Sequence, residues 1–236
     1  MTQSLKKLLE RNEIVIAPGC HDALGAKIVE TMGFEAVYMT GNGATASQIG
    51  KPDVGLLTMT EMVTTAQKMS SAVNIPIIAD ADTGYGNKNN VARTVIEYEK
   101  AGVSAIHLED QVTPKKCGAM SGIELISIEE HVEKIQAALK ARKSEDLLII
   151  GRTDSRGTLG LEEAIKRGNA YAKAGADLVI LEMLQSIDEI KEVARRVDAP
   201  LMFSYVDFTR IPNITFKQLE EFGYKLVIYP LSSTLA

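Results

Sequence analysis

The chain has no run approaching the ~20 apolar residues of a membrane span, no surplus of basic residues and only two cysteines. Each shortage removes a class of function. Without an apolar span, or a long apolar stretch in the opening MTQSLKKLLE, neither a membrane anchor nor a secretory leader is expected, and the expected location is cytoplasmic. With 26 Lys and Arg against 31 Asp and Glu, the formal charge of −5 offers no basic footprint for nucleic acid or anionic lipid. Cys20 and Cys117 are far apart and belong to no CxxC pair, so neither a disulfide framework nor a zinc knuckle is indicated. The GxGxxG phosphate turn of a dinucleotide-binding sheet is absent after the first predicted strand.

What is present is a large core and a repeat. The composition is 45% hydrophobic. A helix tail, a glycine, two or three linking residues and a buried apolar strand recur as MGFEAVYMT, AGVSAIHLE, AGADLVILE and FGYKLVIYP. Gly33, Gly102, Gly175 and Gly223 fit the left-handed position that closes a helix. Further strands are predicted at Glu13–Gly19, Ile75–Asp82, Leu147–Asp154 and Pro200–Tyr205. Helices are predicted at Asp22–Met32, Thr60–Ala72, Asn89–Ala101, Ser127–Arg142, Leu161–Ala174, Ile187–Val197 and Thr215–Phe222. Thr60 and Ser127 are polar starts, and Glu130 follows Ser127 at capping-box spacing.

The strands are almost continuously apolar, as when helices cover a parallel sheet. Eight strands alternating with helices therefore predict a (β/α)8 TIM barrel, close to the usual ~250 residues, over the single domain 1–236. An open doubly wound sheet is the competing architecture. The sequence stops after LVIYPLSSTLA, so the eighth helix is expected to be absent from the chain as given, with its place filled by a longer tail or a neighbouring subunit.

Active groups of such barrels lie at the carboxyl ends of the strands. Those ends carry Asp80 and Asp82, Glu109 and Asp110, Arg152 and Asp154, and Glu182, with Ser204 on the seventh strand. Alternation along a strand puts His107 one layer beneath Glu109. Clustered carboxylates repel one another unless a cation intervenes. Mg²⁺, which keeps several waters and takes one or two carboxylates, suits Asp80, Asp82 and Glu109. Zinc does not, because His21, His107 and His131 lack ligand spacing and His131 is expected on a solvated helix face. Asp110 is expected to be structural.

YMTGNGATASQIGKPDVG, IIADADTGYGN, HLEDQVTPKKCG, IIGRTDSRG, LEM and IYPLS together resemble, in order and spacing, the isocitrate lyase and phosphoenolpyruvate mutase superfamily, from Ala17 to Ser232. Within it the chain is most similar to the 2-methylisocitrate and 2,3-dimethylmalate lyases and to carboxyphosphonoenolpyruvate mutase. The resemblance implies a Mg²⁺-dependent lyase, with Mn²⁺ as the other cation, that cleaves a carbon–carbon bond of a 2-hydroxy di- or tricarboxylate to pyruvate and a carboxylic acid. It also implies a homotetramer with swapped C-terminal helices.

In the same terms, Asp80 binds the metal directly, and Asp82 and Glu109 act through water. Thr40 and the Gly41 N–H cradle the substrate carboxylate together with Arg152, and Tyr38 orients or deprotonates the hydroxyl. Cys117 delivers a proton to the departing acid, its thiol tuned by Lys115 and Lys116. Asn42, Asp53, Lys116, Gly118, Glu182 and Ser204 complete the implied substrate site, with Glu182 left between pairing with Arg152 and joining the metal's surroundings.

Two departures bear on the substrate. Ala119 stands where the family's lyases carry His after KKCG, and Ser204 stands where they carry Asn. Both remove groups for a distal carboxylate, and a malate-like substrate becomes the expectation. The alternatives are an oxaloacetate decarboxylase or hydrolase, a carboxyphosphonoenolpyruvate or phosphonopyruvate mutase, and an inactive relative that binds a dicarboxylate. A Schiff-base aldolase needs a lysine at a strand end, and there is none. A sugar-phosphate enzyme needs a glycine-rich grip that SYVDFTR and YPLSSTLA do not supply.

Overall fold

Gly33, Gly102, Gly175 and Gly223 have φ of +87°, +84°, +102° and +95°, so each ends a helix in the left-handed region and turns the chain into the next strand. The computed structural model describes residues 4–206 and 214–234. The strands are β1 (Val15–Cys20), β2 (Val37–Met39), β3 (Ile77–Asp80), β4 (Ala105–Glu109), β5 (Leu148–Thr153), β6 (Leu178–Leu181), β7 (Leu201–Ser204) and β8 (Tyr224–Tyr229). All pairings are parallel, and β1 pairs with β8, which closes the barrel and excludes the open sheet. The helices are α1 (Leu5–Leu9), α2 (Ala23–Thr31), α3 (Gly41–Ile49), α4 (Met59–Ala72), α5 (Lys88–Lys100), α6 (Ile128–Ala141), α7 (Arg156–Leu159), α8 (Leu161–Lys173), α9 (Ile187–Arg196) and α10 (Phe216–Glu221). None among the described residues is long and apolar enough to cross a membrane.

Period-two alternation divides each strand between two cores. Val15, Ala17, Tyr38, Ile78, Ile150, Ile180 and Ile228 fill the barrel interior. Met39, Ala79, Ile106, Leu108 and Ile149 face the helices. Leu5 and Leu8 of α1 are fully buried in the interior cluster, so this short amphipathic turn plugs the barrel. Leu8→Ala should cost roughly 2–5 kcal/mol, as buried Leu→Ala changes do. Urea unfolding will check this, and a loss below about 1 kcal/mol would show that α1 is dispensable.

Three local expectations change. The helix predicted from Thr60 is capped instead by Thr58, in a capping box with Glu61. Ser127 caps α6 by accepting from the Glu130 N–H at 3.1 Å, without a reciprocal side-chain bond. His131 is not solvated: it is fully buried, with its ring 4.4 Å from that of Tyr171.

Burial pushes His131 down from an ordinary 6.5 to about 3, so the folded protein holds it neutral while an unfolded chain protonates it below 6.5. Stability is therefore lost as pH falls from 6.5 towards 3, by up to about 1.4 kcal/mol per pH unit. Between pH 6.5 and 5 the wild type should lose about 2 kcal/mol more than His131→Phe. Parallel denaturant series at the two pH values will show it, and identical pH slopes would contradict it.

After β8, residues 230–234 form turns rather than a helix. Ser232 Oγ accepts from the Gly19 N–H at 2.9 Å and donates to the Gly19 carbonyl at 3.0 Å. A Cβ on Gly19 would fall 2.3 Å from the Pro230 oxygen, which makes glycine obligatory there. α2 packs on α4, whereas Leu24 and Ile28 on α2 and Met32 just after it are exposed. The segment SYVDFTR lies partly outside the described residues.

Candidate active site

Register aligns the polar ends of the strands. Asp80 pairs across to His107, and Glu109 pairs across to Arg152. Together with Tyr38, Thr40, Glu182 and Ser204, these side chains continue the interior parity to the carboxyl-terminal mouth. A cavity of 90 Å³ opens there. It is lined by ten of the residues the sequence pointed to: Tyr38, Thr40, Asn42, Asp53, Asp80, Cys117, Gly118, Arg152, Glu182 and Ser204.

Four others are placed differently. Asp82 and Glu109 are buried and do not line the cavity. Gly41 gives its N–H to Asp80 Oδ2 at 3.2 Å, and Thr40 Oγ1 caps α3 by accepting from the Gly43 N–H at 3.3 Å. The Gly41 N–H is thus committed to Asp80 rather than offered to a substrate. A Cβ at Gly41 would meet Asp80 Oδ2 at 2.5 Å, which accounts for the glycine. Lys116 is turned away from the cavity, its Nζ donating to the Gly122 carbonyl at 2.7 Å.

The lysine that does enter the site is Lys115, only 4% exposed. Its Nζ lies 2.7 Å from Asp53 Oδ2 and 2.9 Å from Asp82 Oδ1. Burial disfavours its charge, but Asp82, Glu109, Asp80 and Asp53 outweigh burial and hold it protonated. Arg152 is surrounded in the same way, with Nη2 at 2.8 Å from Asp154 and 3.4 Å from Glu109, and Nη1 at 3.7 Å from Glu182.

Even so, acids outnumber cations. Burial raises Glu109 and Glu182, the former well above the carboxylate range, and pushes Asp82 up to about 6. Among these acids Asp80 alone is lowered: burial opposes its ionisation, and His107, which is protonated over the low pH range where Asp80 titrates, together with Lys115 and Arg152, overcomes that cost.

Glu109 is fully buried, and neither of its carboxylate oxygens has a hydrogen-bond partner. Its salt-bridge partner is Arg152 at 3.4 Å, shared with Asp154, and a buried acid without hydrogen bonds costs several kcal/mol unless it is protonated or further cationic charge is supplied. A hydrated divalent cation fits this donor set: Asp80, ionised and at the cavity, with Asp82 and Glu109 buried nearby, while Asp53 is taken up by Lys115. Among the described residues, no three Asp, Glu, His or Cys side chains form a ready-made cage, so direct ligation by all three acids is not what the geometry offers. Asp82 also has φ of +46°, a sparsely populated conformation for a residue with a side chain, of the kind often found at functional sites.

Tyr38 Oη is 2.7 Å from His107 Nε2 and 3.5 Å from Asp80 Oδ2, so its one proton can turn to either. Burial pushes the phenol well up and His107 down to about 4, so a protonated tyrosine backs onto a neutral imidazole. Parity along β4 signalled the position of His107 but not its partner.

Cys117 lies on the loop after β4, with Asn42 Nδ2 3.8 Å from Sγ and its own N–H donated to the Asp53 carbonyl at 2.9 Å. Burial raises its thiol, and Arg152 and Lys115 offset that only in part. Lys115 is thus among the groups that tune the thiol and Lys116, turned towards Gly122, is not; the thiol keeps its proton. Ala119, Met183, Val206, Pro230 and Leu231 form the apolar remainder of the lining. The lining role of Met183 was not legible in the sequence; it follows Glu182 with φ of +63°.

A closed parallel barrel with acids, one arginine and a loop cysteine at its mouth is the setting in which the comparisons with known proteins fall. The chain matches the phosphoenolpyruvate phosphomutase family over residues 5–236. It is 50% identical over 229 residues to 2,3-dimethylmalate lyase of Eubacterium barkeri, covering 97% of this chain and 79% of that protein. To 2-methylisocitrate lyase of Aeropyrum pernix it is 47% identical, covering 97% and 73%. Among solved structures, oxaloacetate acetylhydrolase in complex with the inhibitor 3,3-difluorooxalacetate superposes with a TM-score of 0.95 at 34% identity, covering 99% of this chain and 81% of that one. A crystal structure of 2,3-dimethylmalate lyase gives 0.93 at 37% identity, covering 97% and 77%. The chain belongs to the phosphoenolpyruvate phosphomutase family, within the isocitrate lyase/PEP mutase superfamily.

Proposed function

We propose that this chain is a Mg²⁺-dependent lyase that cleaves an alkylmalate-type 2-hydroxy dicarboxylate to pyruvate and a carboxylic acid. The observation that carries the reading is a protonated thiol, Cys117, held at the wall of a cavity that Asp80, Tyr38 and Arg152 also line. The identity to a dimethylmalate lyase and a methylisocitrate lyase points the same way.

Asp80 would hold the metal, with Asp82 and Glu109 reaching it through water. When bound, the cation supplies Lewis acidity, making the negative charge on the substrate's hydroxyl oxygen tolerable. The chain's own residues do the rest. Arg152, kept charged by Asp154, Glu109 and Glu182, offers its fork to a substrate carboxylate. Tyr38 stays protonated and orients the hydroxyl, with the neutral His107 behind it to accept a relayed proton at Nε2. As the carbon–carbon bond breaks, its electron pair passes to the departing acid, and Cys117 Sγ gives its proton to that carbon. Thr40, Asn42, Asp53, Gly118, Glu182 and Ser204 shape the remaining wall.

Ala119 and Ser204 both line the cavity and offer a distal carboxylate a methyl and a single hydroxyl. A dimethylmalate or related alkylmalate should therefore be cleaved with kcat/KM at least about tenfold above that for 2-methylisocitrate, roughly the 1–3 kcal/mol of one pocket contact. Pyruvate release over a panel of 2-hydroxy and 2-oxo diacids tests the activity and the preference together. Equal or reversed ratios would remove the preference, and no pyruvate from any member would remove the activity. The TM-score of 0.95 to an oxaloacetate acetylhydrolase keeps oxaloacetate hydrolysis as the second reading, recognised by oxalate release that survives Cys117→Ser.

A further inference from the structure

Gln111 lies two residues beyond Glu109, is 1% exposed and does not line the cavity. Both of its amide protons and its oxygen are nonetheless used on the mouth of the barrel. Oε1 accepts from the Lys116 N–H at 2.9 Å, and Nε2 donates to the Lys116 carbonyl, also at 2.9 Å. One side chain thereby pairs with both backbone groups of one residue, as a neighbouring strand would. The second Nε2 proton goes to Asp154 Oδ2 at 2.9 Å. That third bond fixes which way the amide faces, because a flipped amide would set its oxygen against a carboxylate.

Asp154 is also the group that holds Arg152, through Nη2 at 2.8 Å and Nε at 3.3 Å. The loop returns to this pair at once: a Cβ on Gly118 would lie 2.8 Å from Arg152 Nη2 and 2.9 Å from Asp154 Oδ1. Cys117 is thus flanked by a residue clamped by Gln111 and a glycine pressed against Arg152 and Asp154.

We propose that Gln111 is a positioning residue that sets Cys117 in register with Arg152, using Asp154 as the joint between the thiol loop and the arginine. The proposal rests on the reading of Cys117 as proton donor, but its geometric half does not. A clamp released by Gln111→Leu, which keeps the side chain's bulk and removes its bonds, moves the donor and leaves the cavity-lining residues outside its loop in place. Misplacement by about 1 Å costs on the order of 10²-fold in rate. The expectation is therefore a kcat about 10²-fold lower with KM within about threefold, a split that general loss of stability would not produce.

The test has three arms on the full chain. Alkylation of Cys117 by iodoacetamide, followed by peptide mass, should accelerate several-fold in Gln111→Leu without any substrate present. Hydrogen exchange of the wild type should show the Lys116 amide protected, and Gln111→Glu should lose that protection by setting a carboxylate against Asp154. The third arm is the kcat and KM split. If the wild type proves inactive on every hydroxyacid, the proposed activity fails while alkylation and exchange still decide the clamp. Unchanged alkylation in a folded Gln111→Leu, or a Lys116 amide that exchanges freely in the wild type, would overturn it. Should Gln111→Leu fail to fold, the exchange result on the wild type decides alone.

Discussion

Cys117→Ser is expected to lower kcat by about 10³-fold while leaving KM within a few-fold, because a positioned general acid contributes 10²–10⁴ to rate and a serine hydroxyl is far too weak an acid to replace it. The thiol is suited to the step by its protonation. Burial raises it, and the backbone N–H of Ala119, Arg152 and Lys115 do not bring it down to a thiolate. A nucleophilic cysteine would need the opposite shift. Cys20 cannot substitute, since it is fully buried and burial pushes it up to about 12. Cys20→Ala should accordingly change kcat by less than about twofold, and pyruvate release from the two variants, measured beside the wild type, separates the thiols. Full activity in Cys117→Ser would remove the proton-donor role and favour hydrolysis or decarboxylation.

Asp80→Asn is expected to have the other large effect, abolishing Mg²⁺-dependent turnover by 10³-fold or more. Asp80 lines the cavity and its surroundings lower its pKa, so it is held ionised, and an amide oxygen is a much weaker ligand for a hard cation. Glu109→Gln should behave in a graded way. Burial makes the charge of Glu109 costly, and neither oxygen has a hydrogen bond, so the amide should leave the metal-free protein at least as stable as the wild type. With a proposed contact through water removed, Mg²⁺ affinity should fall by about tenfold rather than vanish.

The barrel was readable because its signal was repeated. The helix–glycine–strand unit recurs at Gly33, Gly102, Gly175 and Gly223, and each glycine takes the left-handed φ that the unit requires. The acids at the mouth were readable for a related reason: a strand alternates strictly, so Glu109 and His107, or Arg152 and Ile150, had to share a face.

Loops and short helices carry no such period. α3 was missed because GNGATASQI is rich in weak helix formers, and its start is fixed by contacts: Thr40 caps it, and Asp80 takes the Gly41 N–H. α1 was missed because five residues are too few to show a stripe, although Leu5 and Leu8 are fully buried. The sequence points to Lys116 at the substrate and to Lys115 only as a tuning group, whereas the irregular backbone of the loop turns Lys115 inward and Lys116 outward. His131 was read as solvated because a lone polar residue on a helix ordinarily is, and only the packing of α6 against Tyr171 shows otherwise.

The central claim is that Asp80 anchors Mg²⁺ among acids that need a cation. Titrating Mg²⁺ into the wild type and Asp80→Asn, with thermal melting and heat of binding followed together, tests it without any assumption about the substrate. A ligand at a hundred times its Kd adds about 2.7 kcal/mol, so the wild-type melting temperature should rise by roughly 5–10 °C with saturable heat, and Asp80→Asn should show neither. A wild type that melts at the same temperature with and without saturating Mg²⁺, or an Asp80→Asn protein that responds like the wild type, would contradict it.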